Sequence, residues 1–591
     1  MLTPDTRTTL LRELTPLPGY EFVQLATTTF TLDLESALLP CLALAGSARA
    51  ESADPVETIA AVQSTIAAID IFHQNGQLVV PRHRSRLFSL LEPAIHGITP
   101  TRGLFHPKLW LARYSDPEGY TLVKLIVLTR NLTRDRSWDI VVTLDGEITT
   151  SPSARNKPVV DLLRHLADAP TTPLSVQRRE RLFEFAELLR YAEWTNPIGV
   201  QDLIFHVFGV PGRPNARPDF SGYRHLVISP FLQDEGVERF AEYARGPLTV
   251  VSRQDALDGL SQEIADWVDD AYVLSPTAGL PADDETGSDA ALFNGLHAKL
   301  FALERAKLAH LFIGSTNATG PAFDLNVEVL VELVGSSTIF GVEKLLGNDG
   351  LGSLLEKTEI QPADVTEDDP QHALDSYVRA VAAVPLTARV TQNGDRIGMQ
   401  VRSELIVPTY DSAVTMKIEL LTDPSTSKTL TPGFPVEVTY EKVPLTDVTA
   451  FFVISARDSG DRRSRTVVKA ALLNDVEGRL DRIVTHEITS PDAFRKFLAL
   501  LLAFGEVGEE TDDGEAGAGT AGGQWKSLEQ GMFEQLMRAA VSKPTVLDQL
   551  AGVVTAIIKA DDPHRVLPEG FRDLWTAIES ATGSERSVTR V

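Results

Sequence analysis

The chain has 591 residues, 43% of them hydrophobic and 23% charged, which is a globular composition too long for a single core. Its net charge of −26 excludes a broadly basic surface, yet the acid is uneven: residues 1–250 hold 25 Lys and Arg against 28 Asp and Glu, and the other 341 hold 30 against 53. A single cysteine, Cys41, excludes an internal disulfide and fits a reducing compartment.

The opening "MLTPDTRTTLLRELTPLPGY" lacks a basic stretch followed by an apolar one, so no signal peptide is expected. The longest purely apolar run, "FLALLLAF" (497–504), falls far short of the roughly 20 residues that span a bilayer. A cytoplasmic chain with no membrane contact is the expectation. From residue 20 onward the periodicity is α/β. "FVQLATTTFTLDL" reads as a strand and "ESALLPCLALAGSA" as the helix after it; "AAIDIFHQ" and "QLVV" read as short buried strands, and "RSRLFSLLEPAIHGI" as helix. A second series follows, with "RHLVISPFL" a strand, "QDEGVERFAEYARG" a helix with an acidic first turn, and "PLTVVS" a strand. A polar loop, "SPTAGLPADDETGSDA", separates this series from the next apolar segment.

From about residue 386 the pattern turns to β alternation, in "LTARVTQNGDRIGMQVRSELIVP", "AVTMKIELL", "FPVEVTYEKVP", "AFFVISARDS" and "RTVVKAALL". The last hundred residues read as helical around the Gly- and acid-rich segment 505–524, which is expected to be disordered. In "WKSLEQGMFEQLMRAAV", Trp525, Leu528, Met532, Leu536 and Ala540 share one helical face, suited to a small bundle or to a docking protein. The expected order is a first α/β half over 1–195, a second over 196–340, a helical linker over 341–385, a β-sandwich-like module over 386–485 and a helical region over 486–591.

An internal repeat gives the α/β region its chemistry. "FHPKLWLARYSDPEGYTLVKLIVLTRNLTRDRSWDIVVTLDG" (105–146) aligns with "LHAKLFALERAKLAHLFIGSTNATGPAFDLNVEVLVELVG" (296–335). His106, Lys108, Asn131 and Asp139 match His297, Lys299, Asn317 and Glu328. No other His-x-Lys occurs among the twelve histidines. On a strand, residues i and i+2 project from one face, so His-x-Lys aims an imidazole and an ammonium at one point. Asparagine adds donors to an oxyanion, and the acid can hold an imidazole N–H and fix its tautomer. Two such sets facing each other suit a double displacement at phosphorus without a metal or other cofactor: one imidazole attacks, and the other protonates the leaving oxygen and then activates water. Ser315 and Thr129, two residues before each asparagine, are candidate phosphate-contacting hydroxyls.

The doubled H-x-K…N…E/D pattern (the HKD motif) resembles that of the phospholipase D superfamily over roughly residues 20–335. The second copy, "HAKLFALE" followed by "GSTN", matches best, with Glu304 in the usual aspartate place. The first copy has Arg113 there and, with "TRNLT", is closer to the tyrosyl-DNA phosphodiesterases. The resemblance implies a duplicated fold and a phosphohistidine intermediate, with His106 the nucleophile and His297 the acid and base. It further implies a nuclease or DNA-end-processing activity. Chains of similar layout look like components of bacterial DNA-handling or anti-phage defence systems, with a helicase partner that the C-terminal half could dock. A phospholipid phosphodiesterase or phosphatidyltransferase, and a catalytically silent nucleic-acid-binding subunit, are the alternatives.

Two basic runs stand outside the repeat. In "PRHRSR", Arg82, Arg84 and Arg86 either start a solvated helix or contact a nucleic-acid backbone, and "QRRER" (177–181) reads as an exposed helix face. His73, His83, His225 and His310 lack metal-ligand spacing and read as ordinary histidines.

Overall fold

A computed structural model describes residues 10–48, 63–134, 137–275, 278, 295–363, 370–393, 396–410, 413–480 and 482–483. The expected C-terminal helical region, its acidic segment and the Trp525 face therefore lie outside the described residues.

Strands follow the apolar runs. In chain order the first nine are β1 (Glu21–Thr29), β2 (Leu32–Asp33), β3 (Ile69–Gln74), β4 (Leu78–Val79), β5 (Ile95–Ile98), β6 (Leu109–Ser115), β7 (Thr121–Leu128), β8 (Val141–Ile148) and β9 (Ala192–Trp194). Seven of them make one sheet in the order β5-β3-β1-β6-β7-β8-β9. The next eight are β10 (Val200–Phe208), β11 (Arg224–Ile228), β12 (Leu248–Ser252), β13 (Asp270–Leu274), β14 (Leu300–Arg305), β15 (Leu308–Gly314), β16 (Glu328–Ser336) and β17 (Leu355–Thr358). They form a second sheet, β10-β16-β15-β14-β11-β12-β13-β17.

Read from its other end, the second sheet repeats the first. β11, β12 and β13 run parallel, as do β1, β3 and β5. β14 pairs antiparallel with β11 as β6 does with β1, and the meander β14-β15-β16 matches β6-β7-β8. Parallel strands buried on both faces need near-continuous apolar runs, and β12 is buried at every residue. One apolar core runs across both sheets, taking Leu109, Leu125 and Leu144 from the first and Leu300, Leu311 and Val329 from the second. The two sheets thus pack as one body around the segments that hold the repeat.

Three expectations change here. "RSRLFSLLEPAIHGI" is a 3-10 turn over Arg86–Leu91 followed by β5, because Pro93 stops the turn and Ile95 to Ile98 pair parallel with β3. The second sheet runs past residue 340, since β17 pairs with β13 from within the expected linker. In "QRRER", Gln177, Arg179 and Glu180 are exposed, but Arg178 and Arg181 turn inward onto the buried Asp70 at 2.6 and 3.1 Å.

The last eight strands are β18 (Thr387–Asn393), β19 (Arg396–Ile406), β20 (Val414–Leu420), β21 (Lys428–Leu430), β22 (Pro435–Tyr440), β23 (Phe451–Asp458), β24 (Arg463–Lys469) and β25 (Ala471–Leu473). They build a four-stranded sheet, β22-β19-β18-β25, and a six-stranded one, β2-β4-β24-β23-β20-β21. Both sheets feed one core that includes Met399 and Val401 from one and Met416 and Ile454 from the other. The six-stranded sheet borrows β2 and β4 from the first hundred residues, through Leu32↔Leu78 and Val467↔Leu78.

Charged groups seal this junction. Arg84 bonds Glu419 at 2.6 Å and the carbonyl of Leu420 at 3.2 Å, and Arg86 bonds Asp447 at 2.5 Å. Two arginines of "PRHRSR" are therefore committed to the β-rich module and not to a nucleic-acid backbone, while Arg82 stays exposed. Beside them the buried Glu92 accepts from Thr449 Oγ1, Ala450 N–H and Arg479, whose guanidinium is 2% exposed. Removing one partner of a buried pair strands the other's charge. Arg479→Ala is expected to cost about 3–5 kcal/mol, read as a lower urea midpoint. An unchanged midpoint would show that apolar contact alone holds the module.

Candidate active site

Each half delivers its His-x-Lys in the segment just before a central strand, β6 or β14. The extended backbone turns both side chains of a pair to one side, and the strand behind is buried, so the pair is fixed from below. Lys108 and Lys299 are each 1% exposed.

Two backbone bridges join the halves beside the acids. Phe105 bridges to Val327 in parallel fashion, with His106 N–H donating to Val327 O at 3.0 Å and Val327 N–H to Leu104 O at 2.9 Å. Gly103 allows this approach: its φ is +63°, and a Cβ there would lie 2.5 Å from the Leu325 carbonyl. On the other side Trp138 bridges to Leu296, and His297 N–H donates to Trp138 O at 2.9 Å. The residue before each acid thus pairs with the residue before the other half's histidine.

Glu328 is fully buried, and its Oε2 accepts from His106 Nδ1 at 2.9 Å. The same oxygen takes the Ser315 hydroxyl, while Oε1 accepts from Asn326 Nδ2 at 3.2 Å. Three donors hold one carboxylate, which in turn fixes the imidazole with Nδ1 protonated. His106 Nε2 is then left as a lone pair, and Lys108 Nζ sits 2.9 Å from it. Phe30 meets the ring edge-on at 5.1 Å between centroids. Lys299 Nζ donates across the halves to Thr129 O at 3.2 Å and to its own half's His297 O at 3.0 Å. Asp139 lies near Lys299, raising its pKa, and 4.0 Å from Arg130 Nε.

Burial governs the protonation states. It lowers His106 to about 4, Glu328 opposing and both lysines reinforcing the shift. Lys299 falls to about 8 by burial, against the attraction of Glu328 and Asp139. Lys108 falls well below the ordinary lysine range, by burial and then by repulsion from Lys299. Lys299 thus disfavours a charge on Lys108, and an anion beside them would relieve that repulsion.

Asn131 and Asn317 follow the ends of β7 and β15 at matching places, each with a buried Oδ1 that has no hydrogen-bond partner among the described residues. The hydroxyls two residues earlier are already engaged. Thr129 Oγ1 donates to Ile140 O at 3.3 Å and accepts from Ile140 N–H at 2.8 Å; Ser315 Oγ likewise accepts from Val329 N–H, at 3.0 Å, and donates to Glu328. Both hydroxyls clamp the strand starts beside the acids. Glu304 is buried and accepts Val342 N–H at 2.8 Å, shaping a turn. Asn326, Gly103 and Phe30 were missed by sequence reasoning, and only Asn326, two residues before Glu328, offered a signal. Among the described residues, no three His, Cys, Asp or Glu side chains gather to hold a metal, and no helix is long and apolar enough to cross a membrane.

No family model and no curated protein matches this chain. Solved structures similar to it include variant forms of the yeast tyrosyl-DNA phosphodiesterase. One has 8% identity and TM-score 0.35, with 55% of this chain and 85% of that one covered. Another has 9% identity and TM-score 0.35, covering 57% and 87%. The polyphosphate kinase of Porphyromonas gingivalis is similar at 13% identity and TM-score 0.32, covering 64% and 52%.

Two outcomes follow from the protonation states. Any activity that uses a neutral His106 is expected to persist to about pH 5, because protonation, which removes the lone pair, waits until about pH 4. On the alkaline side, kcat/KM is expected to fall as Lys299 loses its proton near pH 8, and Lys299→Arg should move that limb upward. An acid limb near 6.5 would place the working histidine elsewhere.

Proposed function

We propose that the two sheets are two copies of one phospholipase D-like unit, and that the chain is a phosphodiesterase that cuts nucleic acid by double displacement at phosphorus. The observation that carries this reading is the crosswise seam, in which Glu328 of one half holds His106 of the other between two buried lysines. A neutral imidazole with its Nδ1–H tied to a carboxylate is a prepared nucleophile.

His106 Nε2 attacks phosphorus and the bond to the leaving oxygen breaks, that oxygen taking a proton from His297. His297 then removes a proton from water, the water oxygen attacks phosphorus, and the P–N bond breaks to free His106. Lys108 and Lys299 neutralise the non-bridging oxygens, and the amides of Asn131 and Asn317 donate to them. Bound phosphate draws Lys108 Nζ away from Nε2, uncovering the lone pair where the charge arrives. Asp139 is the counterpart of Glu328 on the other half. Because the chain carries its own cations at the site, no metal is required by this scheme.

Nucleic acid as substrate is supported by the resemblance to tyrosyl-DNA phosphodiesterases and by the near-neutral charge of residues 1–250. The helicase partner and defence setting implied by the resemblance rest on that resemblance alone. Purified protein is expected to cleave end-labelled single-stranded DNA, or a 3′-end adduct, in EDTA, and His106→Ala and His297→Ala should each abolish cleavage. Acid-labile label should be trapped on His106 in rapidly quenched wild-type protein and be missing from the His106→Ala protein. Cleavage of phosphatidylcholine vesicles with none of oligonucleotides would falsify the substrate, and a strict metal requirement would count against the chemistry. Glu328→Gln should keep the fold but lower kcat by about 100-fold or more.

A further inference from the structure

We propose that Thr29 and Ser229 are a matched pair of positioning residues, each latching the loop that presents a site asparagine. Thr29 closes β1, and Ser229 follows the end of β11, the equivalent strand. Thr29 Oγ1 donates to Thr31 O at 2.7 Å and accepts from Leu132 N–H at 3.0 Å. Ser229 Oγ donates to Phe231 O at 2.7 Å and accepts from Ala318 N–H at 3.0 Å. Leu132 and Ala318 are the residues directly after Asn131 and Asn317.

The carbonyls of those two residues are tied as well. Asp33 N–H donates to Leu132 O and Gln233 N–H to Ala318 O, each at 3.0 Å, in parallel bridges Leu32↔Leu132 and Leu232↔Ala318. Segments 29–33 and 229–233, "TFTLD" and "SPFLQ", share only a leucine and an opening hydroxyl, yet bond atom for atom alike. A hydroxyl bonded two residues onward is a common local turn. Its second bond, to the same backbone N–H beside the same site residue in both halves, is what ties it to the site.

The hydroxyls are 2% and 0% exposed, so neither reaches substrate. Both backbone groups of the residue after each asparagine are fixed, which narrows the positions open to the carboxamide. Its buried, unpartnered Oδ1 fits a group held for its N–H donors. Those donors matter most where the phosphoryl oxygens gain charge, in the transition state, so a loosened latch should reduce kcat more than it raises KM.

The kinetic arm rests on the phosphodiesterase reading; amide exchange does not. In the full chain, Thr29→Val and Ser229→Ala are expected to lower kcat on the single-stranded oligonucleotide about 10–100-fold, with KM within about twofold. Thr29→Ser and Ser229→Thr, which keep the oxygen, should hold kcat within about threefold. Peptides spanning 128–133 and 314–319 should exchange their amides faster in the Val and Ala variants than in the Ser and Thr ones. Wild-type kcat in the Val and Ala variants, or equal losses with and without the oxygen, would overturn the latch. If the wild-type protein cuts no nucleic acid, the substrate reading fails and exchange at Leu132 and Ala318 alone decides the latch, unchanged rates counting against it. Should Thr29→Val not fold, Ser229→Ala, which deletes one atom, decides between these outcomes.

Discussion

Glu328 begins a strand in the second sheet, and its carboxylate closes on an imidazole that enters from the first. Much of the rest of the α/β body follows from placing that one bond. For the acid to reach His106, Val327 must lie beside Phe105, and Gly103 must let the two backbones approach. For the bond to be dry, both sheets must share the core beneath it. Burial then turns the histidine into a neutral base and presses on the charge of two lysines. Enclosure has its cost: a buried cation without a partner is expensive, and a nearby anion would offset that expense.

The two halves are alike in topology and unlike in detail. Thr129 and Ser315 clamp the strand starts in the same way, but Ser315 also reaches Glu328. Where β14 carries Glu304, paired in register with Arg224, β6 carries Arg113 opposite Gln24. Phe30 lies against His106, and the matching place beside the second set is Pro230. A pseudo-symmetric frame thus carries asymmetric contacts.

Much of this was legible in the chain itself. The paired His-x-Lys, the asparagines and the acids could be read because identical chemistry recurs at a near-constant offset, and the α/β alternation because buried strands are apolar. The crossing of Glu328 to His106 was not legible: spacing within a repeat says nothing of which copy a side chain will face. Arg84 and Arg86 misled for a related reason, since a basic run reads alike whether it meets phosphate or the carboxylates of Glu419 and Asp447, over 300 residues away. "EPAIHGI" hid a strand because Ile95 and Ile98 suit either period in so short a run. Thr29 and Ser229 escaped notice because a lone buried hydroxyl has no pattern until its counterpart is superposed.

The borrowed strands carry a consequence for how the protein is made. Leu78 pairs with Val467, and its carbonyl accepts the Thr466 hydroxyl 388 residues onward. A ribosome delivers β2 and β4 long before the sheet that completes them, so the rim of the first half waits with open hydrogen-bonding groups while nearly four hundred residues emerge. At a synthesis rate of about 5–20 residues per second that wait lasts on the order of a minute or less. Emergence of β24, and not completion of the first half, is the event that closes this edge to strangers.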